Sequence, residues 1–357
     1  MLNKIVFSTL IGSATCFAAA PKKPVEPIEL PRYENNVFVE TAFLYWIAKQ
    51  EGNDYATTGT AITVPGTTDP NTAASAAGIL PGNVYEPNTN IEPGFKVGLG
   101  VNLEHGKWDL FSEYTYLVSN GEGSVSSHNI NSGILPLFSY TPNNSILSQT
   151  LSVASSGATG FVSRAHAHWA LHFNNINLEL RRMVQLFSSL SLRPHFGVQG
   201  TWQTQQFRTK YDVSSFSSFA SLGHNQVQFD QSSWAVGLRF GLDSSWRCCN
   251  HLSLLLDSAV SALYGNFTAK ATSYDTDIGT YSDVLIGNQT LNLYTVSPVI
   301  QVFFGLQSDW AVYTKYLLLV QAGWEEQVWF FQNQHSSTIA DTSLVLQGLT
   351  AKIQMDF

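Results

Sequence analysis

Three imidazoles sit close together in the stretch "HAHWALH", at His166, His168 and His172. On an extended chain they share one side, which makes them the first candidates for a metal. Same-side neighbours on a strand lie about 6 to 7 Å apart, too far for a tight site without further ligands. Lining of a polar cavity is the better account, and no metal or other cofactor is assigned. Glu325 and Glu326 in "GWEEQVWF" resemble an acid pair, yet consecutive strand residues point to opposite faces. They cannot act together on one bond, and an exposed strand end is expected. No Gly-x-Ser-x-Gly, His-Glu-x-x-His or phosphate-loop motif occurs, so no catalytic residue is assigned.

The elements that would position these groups show in "GFKVGLGVNL", residues 94 to 103, where Phe95, Val97, Leu99, Val101 and Leu103 alternate with Lys96, Gly98, Gly100 and Asn102. Unbroken period two predicts a strand with one apolar and one polar face. The same alternation returns in residues 37 to 48, 108 to 118, about 161 to 180, 190 to 202, 234 to 242, 252 to 264, 290 to 306, 310 to 331 and 343 to 357, ten strands in all. In the fourth, Trp169, Leu171 and Phe173 fall on one side before Asn174 and Asn175, where a bulge is expected to shift the phase.

Connections alternate strictly. Residues 104 to 107, 181 to 189, 247 to 251 and 307 to 309 are short, whereas 49 to 93, 119 to 160, 203 to 231, 269 to 288 and 332 to 342 are mostly long and polar. All tight turns at one end describes an antiparallel transmembrane β-barrel with periplasmic turns and long extracellular loops. A further hairpin within 49 to 93 ("GTAITV", 59 to 64) or 119 to 160 would make twelve strands.

Composition agrees. Of 357 residues only 12% are charged while 44% are hydrophobic and 13% aromatic, where a soluble domain carries roughly 25% charge. A net charge of −8 speaks against a nucleic-acid partner. The N-terminus, with Lys4, an apolar run from Ile5 and small residues to Ala20, predicts a cleaved signal peptide over residues 1 to 20. A Pro-rich tether, 21 to 32, and the barrel, 33 to 357, follow. Trp108, Trp169, Trp202, Trp234, Trp246, Trp310, Tyr114 and Tyr116 fall near strand ends, as aromatic girdles do. Beyond the signal only Cys248 and Cys249 remain. They are read as reduced thiols in a turn or as a cross-link to another envelope protein.

On this frame the polar phase carries Lys96, Asp109, Glu113, His168, His172, Arg193, His195, Arg239, Asp257, Gln301 and Lys315, expected on the inner wall. Such charges either bound a water path or pair and plug it. Phe357, terminal and in phase, is expected to serve as a signal to outer-membrane assembly machinery.

"FLYWIAKQEGNDYA" (43 to 56), "GFKVGLGVNL", "LHFNNINLELRR" (171 to 182), "LSLRPHFGVQGTW" (190 to 202) and "GWEEQVWFFQNQ" (323 to 334) resemble the Legionella-type pore-forming outer membrane proteins, a major-outer-membrane-protein-like family found also in environmental chlamydiae. The resemblance implies a porin-like barrel and carries over no site residue. The expected function is passive diffusion of small hydrophilic solutes. A structural or adhesive surface barrel with a plugged lumen competes, because eight strands close around side chains alone while sixteen or more hold a channel. Expected partners are outer-membrane lipid, those solutes and the assembly machinery, with a homo-oligomer left open.

Overall fold

The computed structural model describes residues 37–62, 78–103, 108–127, 132–138, 160–215, 221–249, 251–276, 283–312, 316–333 and 342–357. The expected signal peptide and tether, Lys315 and the turn at 104 to 107 lie outside them.

Among the described residues fifteen strands run in chain order. They are β1 (Val37–Gln50), β2 (Ala56–Ile62), β3 (Gly78–Tyr85), β4 (Asn88–Thr89), β5 (Ile91–Leu103), β6 (Trp108–Ser126), β7 (Ser132–Pro136), β8 (Gly160–Arg182), β9 (Val184–Gln185), β10 (Leu190–Ser215), β11 (Ser221–Cys249), β12 (Leu252–Thr276), β13 (Asp283–Val312), β14 (Tyr316–Asn333) and β15 (Thr342–Asp356). Ten of them, β1, β5, β6, β8 and β10 to β15, pair antiparallel in sequence order. β15 returns to β1 through an unbroken register from Phe38↔Asp356 to Gln50↔Leu344 and closes the barrel. Closure leaves no unpaired edge, the condition for a sheet in hydrocarbon.

The barrel therefore has ten strands. Residues 59–62 of "GTAITV" do enter a strand, but β2 pairs with β3 and β7 in a separate three-stranded sheet and adds nothing to the wall. The short β4 and β9 attach to β6 and β10.

Outward-facing residues form an apolar belt. On β10 it runs from Leu192 to Trp202, ten residue-to-residue steps that at about 3.4 Å each and a 45° tilt span roughly 24 Å, the height of a membrane band. Leu99, Val198, Leu238, Val260 and Ile300 are exposed on it. Aromatic contacts mark its upper rim. Tyr114 stacks on Trp202 with centroids 6.1 Å apart, as does Tyr264 on Tyr294, and Phe95 meets Tyr116 at 5.5 Å. Trp246 and Trp310 are exposed at the lower rim. Trp169 departs from the girdle: it is buried inside the barrel.

The alternating glycines of "GFKVGLGVNL" have a packing cause. Gly98 and Gly100 face inward beneath Phe111 and Phe38, whose rings occupy the space a Cβ would take and stack on each other at 5.7 Å.

Two expectations about strand ends are corrected. Of the expected loops 203 to 231 and 269 to 288, the described residues 203–215, 221–231, 269–276 and 283–288 are strand, since β10 to β13 continue as arms far above the belt. Their inward residues stay buried (Phe207, Tyr211 and Val213) while Thr204, Gln206 and Arg208 face water. The turn at 307 to 309 also moves. Asp309 and Trp310 pair with Leu319 and Leu318 within the β13–β14 ladder, which runs on to Val312↔Tyr316.

Candidate functional site: the lumen

Parity in each strand decides what enters the bore. In β5 the outward run of Phe95, Val97 and Leu99 forces Lys96 inward. In β14 outward Trp324 and Glu326 force Glu325 inward. At the level of the belt these inward positions build a chain of ionic contacts across the lumen. Lys96 Nζ lies 2.6 Å from Glu325 Oε1 and 3.7 Å from Glu113 Oε1. Gln301 Nε2 donates to the same Glu325 oxygen at 2.8 Å and its Oε1 accepts from Arg239 Nη2 at 2.9 Å. Arg239 Nε then meets Glu179 Oε1 at 2.7 Å. Glu179 also holds Arg181 at 3.0 Å and faces His195 Nδ1 at 3.4 Å, and His195 Nε2 reaches Asp243 at 3.3 Å. One connected network thus joins β6, β5, β14, β13, β11, β8 and β10. Near the periplasmic end Arg193 faces Asp109 at 4.0 Å, and to one side Lys352 faces Glu40 at 3.9 Å.

Amides lie above the charges. Gln199 Nε2 donates to Asn175 Oδ1 at 2.8 Å, Asn175 Nδ2 to Asn177 Oδ1 at 3.1 Å, and Gln327 Nε2 to Glu325 at 3.0 Å. Higher still the fill turns apolar. Trp46, Trp329, Phe173, Leu171 and Leu344 are fully buried, with Phe173 edge-on to Trp329 at 5.1 Å. The indoles are tied down to the polar layer, Trp329 Nε1 donating to Gln327 at 3.1 Å and Trp46 Nε1 to Thr350 at 3.0 Å. Phe138, just after β7, packs against Phe207 and Phe229. Tyr211 donates to the Tyr55 carbonyl at 2.7 Å and accepts from the Phe138 amide. Chain next to the small sheet thus caps the top of the bore.

Of the expected lining residues, Lys96, Asp109, Glu113, Arg193, His195, Arg239, Asp257 and Gln301 hold inward positions, all but Asp257 in the contacts just described. His168 and His172 do not. The β6–β8 and β8–β10 ladders pass through Asn174 and Asn175 without a register shift, so the expected bulge is absent. Trp169, Leu171 and Phe173 therefore share the inner face with Asn175, Asn177 and Glu179, and the imidazoles of His166, His168 and His172 look outward. Glu325 is corrected as well: it is 0% exposed at the hub of the network, while Glu326 is exposed. Glu40, Glu179, Arg181, Asp243 and Lys352 were missed, although the same period-two parity places each of them. Cys248 and Cys249 are free and exposed, and Phe357 is anchored by its amide to the Val37 carbonyl at 3.1 Å. Outside the membrane-spanning strands, burial and then the neighbouring Glu86 raise the Asp54 carboxyl above its usual 3.8, against the pull of Lys49.

The family model described as the Legionella pneumophila major outer membrane protein precursor matches residues 29–357. No curated protein matches the chain. Among solved structures, the outer membrane protease OmpT from Escherichia coli aligns at 11% identity and TM-score 0.41 over 90% of this chain and 97% of that one. The CymD monoaromatic hydrocarbon channel aligns at 9% and 0.33 over 93% and 91%. The Pseudomonas putida toluene transporter TodX aligns at 8% and 0.22 over 90% of each chain.

Proposed function

We propose, for a chain that belongs to this Legionella major outer membrane protein family and is an outer-membrane β-barrel, a narrow pore. It stands closed in this conformation and passes small hydrophilic solutes when the ion pairs crossing its bore exchange partners. The observation that carries this reading is a contrast within one barrel: the upper lumen is filled by Trp, Phe and Leu, whereas the membrane-level lumen, beside Phe38, Phe111 and Phe303, buries a set of charges and amides. Barrel closure does not require such charges, since well-packed apolar residues fill an interior at equal or lower cost than buried ion pairs. A hydrophilic path does require them. Thr115, Ser261, Ser297 and Gln199 add buried oxygens with no hydrogen-bond partner among the described residues, groups of the kind that water satisfies. The reading assigns no catalytic step, and Glu325 and Glu326 face opposite sides.

The aromatic layer and its cap favour a second reading, a surface barrel with a plugged lumen that acts through its outer arms. Planar-bilayer conductance of refolded protein separates the two. Small stable steps in the wild type, enlarged in Trp329→Ala, support the pore. Silence from both proteins, each shown folded by heat-modifiable gel migration, sinks it in favour of the plugged barrel.

A further inference from the structure

Above the belt the outer wall carries a concentration of cations that the lumen does not use. Cross-strand registers place His168 beside Arg208 and His166 beside Lys210, while Glu122 and Ser124 flank the imidazoles from β6. Gln228 and Gln226 flank the two cations from β11. Side chains opposed in this way lie about 5 Å apart, and Arg208 and Lys210, two apart on β10, put their like charges on the same face. The four groups form a two-by-two array lining a concavity of about 530 Å³, with Asn88, Ser124 and Gln226 as further polar lining. Carboxylates share this face: Glu122 lines the concavity 3.9 Å from His168, Asp212 lies 3.9 Å from Lys210 and opposite Arg164, and Asp230 accepts from Gln228 and stands opposite Lys270. Arg164 and Lys270 are exposed on the same wall. Of the five Lys and Arg residues above the belt among the described residues (Lys49, Arg164, Arg208, Lys210, Lys270), only Lys49, paired with Glu86 at 2.6 Å, lies elsewhere.

We propose that this array binds the phosphorylated saccharide headgroup of a glycolipid in the surrounding outer leaflet. Height selects the occupant. Arg208 stands six residues above Trp202 at the aromatic rim, roughly 14 Å along the membrane normal at about 3.4 Å per residue and 45° tilt. The polar zone of an ordinary bilayer is only about 6 Å deep, so a simple phospholipid phosphate falls short. A phosphate carried on sugars reaches the array. There it accepts charge-assisted hydrogen bonds from Arg208 and Lys210 and relieves the repulsion between them, while Asn88, Ser124 and Gln226 meet sugar hydroxyls.

The test measures binding of purified lipopolysaccharide to the detergent-solubilised barrel by native mass spectrometry. Its arms are the same glycolipid after enzymatic dephosphorylation, phosphatidylglycerol and inorganic phosphate. Tight binding of the phosphorylated glycolipid alone is expected. It should weaken about tenfold or more in the double variant Arg208→Ala, Lys210→Ala and stay unchanged in Lys49→Ala. Equal binding by the double variant, by the dephosphorylated glycolipid or by phosphatidylglycerol overturns the proposal, as does inorganic phosphate matching the glycolipid. Heat-modifiable migration of each variant confirms that an intact barrel is compared.

Discussion

Replacing Lys96 with Met removes the one cation that directly contacts both Glu325 and Glu113 in the centre of the bore. Lys96 is 2% exposed and Glu325 0%, so neither is shielded by bulk water. At 2.6 Å and an effective dielectric near 20, the Lys96–Glu325 attraction is about 6 kcal/mol before desolvation. The loss is smaller than that, because the orphaned carboxyl keeps hydrogen bonds from Gln301, Gln327 and Thr350 and has an escape in binding a proton. For a carboxyl of ordinary pKa near 4.3, protonation at pH 7 costs about 3.7 kcal/mol. That caps the penalty at roughly 3 to 4 kcal/mol, the low end for breaking a buried pair. The same reasoning fixes the pH dependence. At pH 5 protonation costs only about 1 kcal/mol, so the penalty of Lys96→Met should shrink to about that figure. Adding Glu325→Gln removes the buried charge and should recover part of the loss at pH 7. Urea titrations in lipid vesicles followed by tryptophan fluorescence at both pH values measure this. A variant within about 0.5 kcal/mol of wild type at pH 7, or a loss identical at pH 5, would refute the ionic account of the bore.

The lipid-facing assignment predicts that Leu99→Arg, in the middle of the belt and 54% exposed, destabilises the barrel by about 2 to 4 kcal/mol; unchanged urea unfolding in vesicles means the faces are reversed. Gly100→Val puts a side chain where the Phe38 ring lies and should cost about 1 to 3 kcal/mol through overpacking. Adding Phe38→Ala should recover part of that loss, and a double variant worse than the sum argues against the ring-over-glycine contact. The raised Asp54 carboxyl means that the folded state holds this proton more tightly than the unfolded state does. Its contribution to stability therefore falls as pH rises from about 3.8 through the raised folded value. Asp54→Asn should flatten the pH profile in that window, and an unaltered profile counts against it. Deleting Phe357, whose amide donates to Val37 at the closing seam, should slow assembly on purified insertion machinery; assembly at the wild-type rate removes its role as a signal.

The ten-strand barrel was legible because the belt imposes one rule at one height: in lipid, outward residues must be apolar, so Phe95 to Leu103 and Trp234 to Leu242 read without ambiguity. Above the belt the rule inverts. Outward side chains meet water and inward ones pack, so Trp169, Leu171 and Phe173 belong inside although they are as apolar as the Ile176 and Leu178 that face lipid. Period two tells which residues share a face, not which face is wet. A bulge at Asn174 and Asn175 was the device that kept the apolar side outward, and it displaced His168 and His172 into the lumen. Counting parity upward from the belt without that device resolves both errors together. It puts Glu179, Asn177 and Asn175 in line with Phe173 on the inner wall. By the same count along β10, Phe207 and Tyr211 pack inside while Arg208 and Lys210 stand outside next to the imidazoles. The polar plug and the outer cationic array are thus two readings of one uninterrupted register. A measured bulge at Asn174 would turn Trp169, Leu171 and Phe173 outward and His166 and His168 inward, undoing the aromatic fill on β8 and the imidazole half of the array.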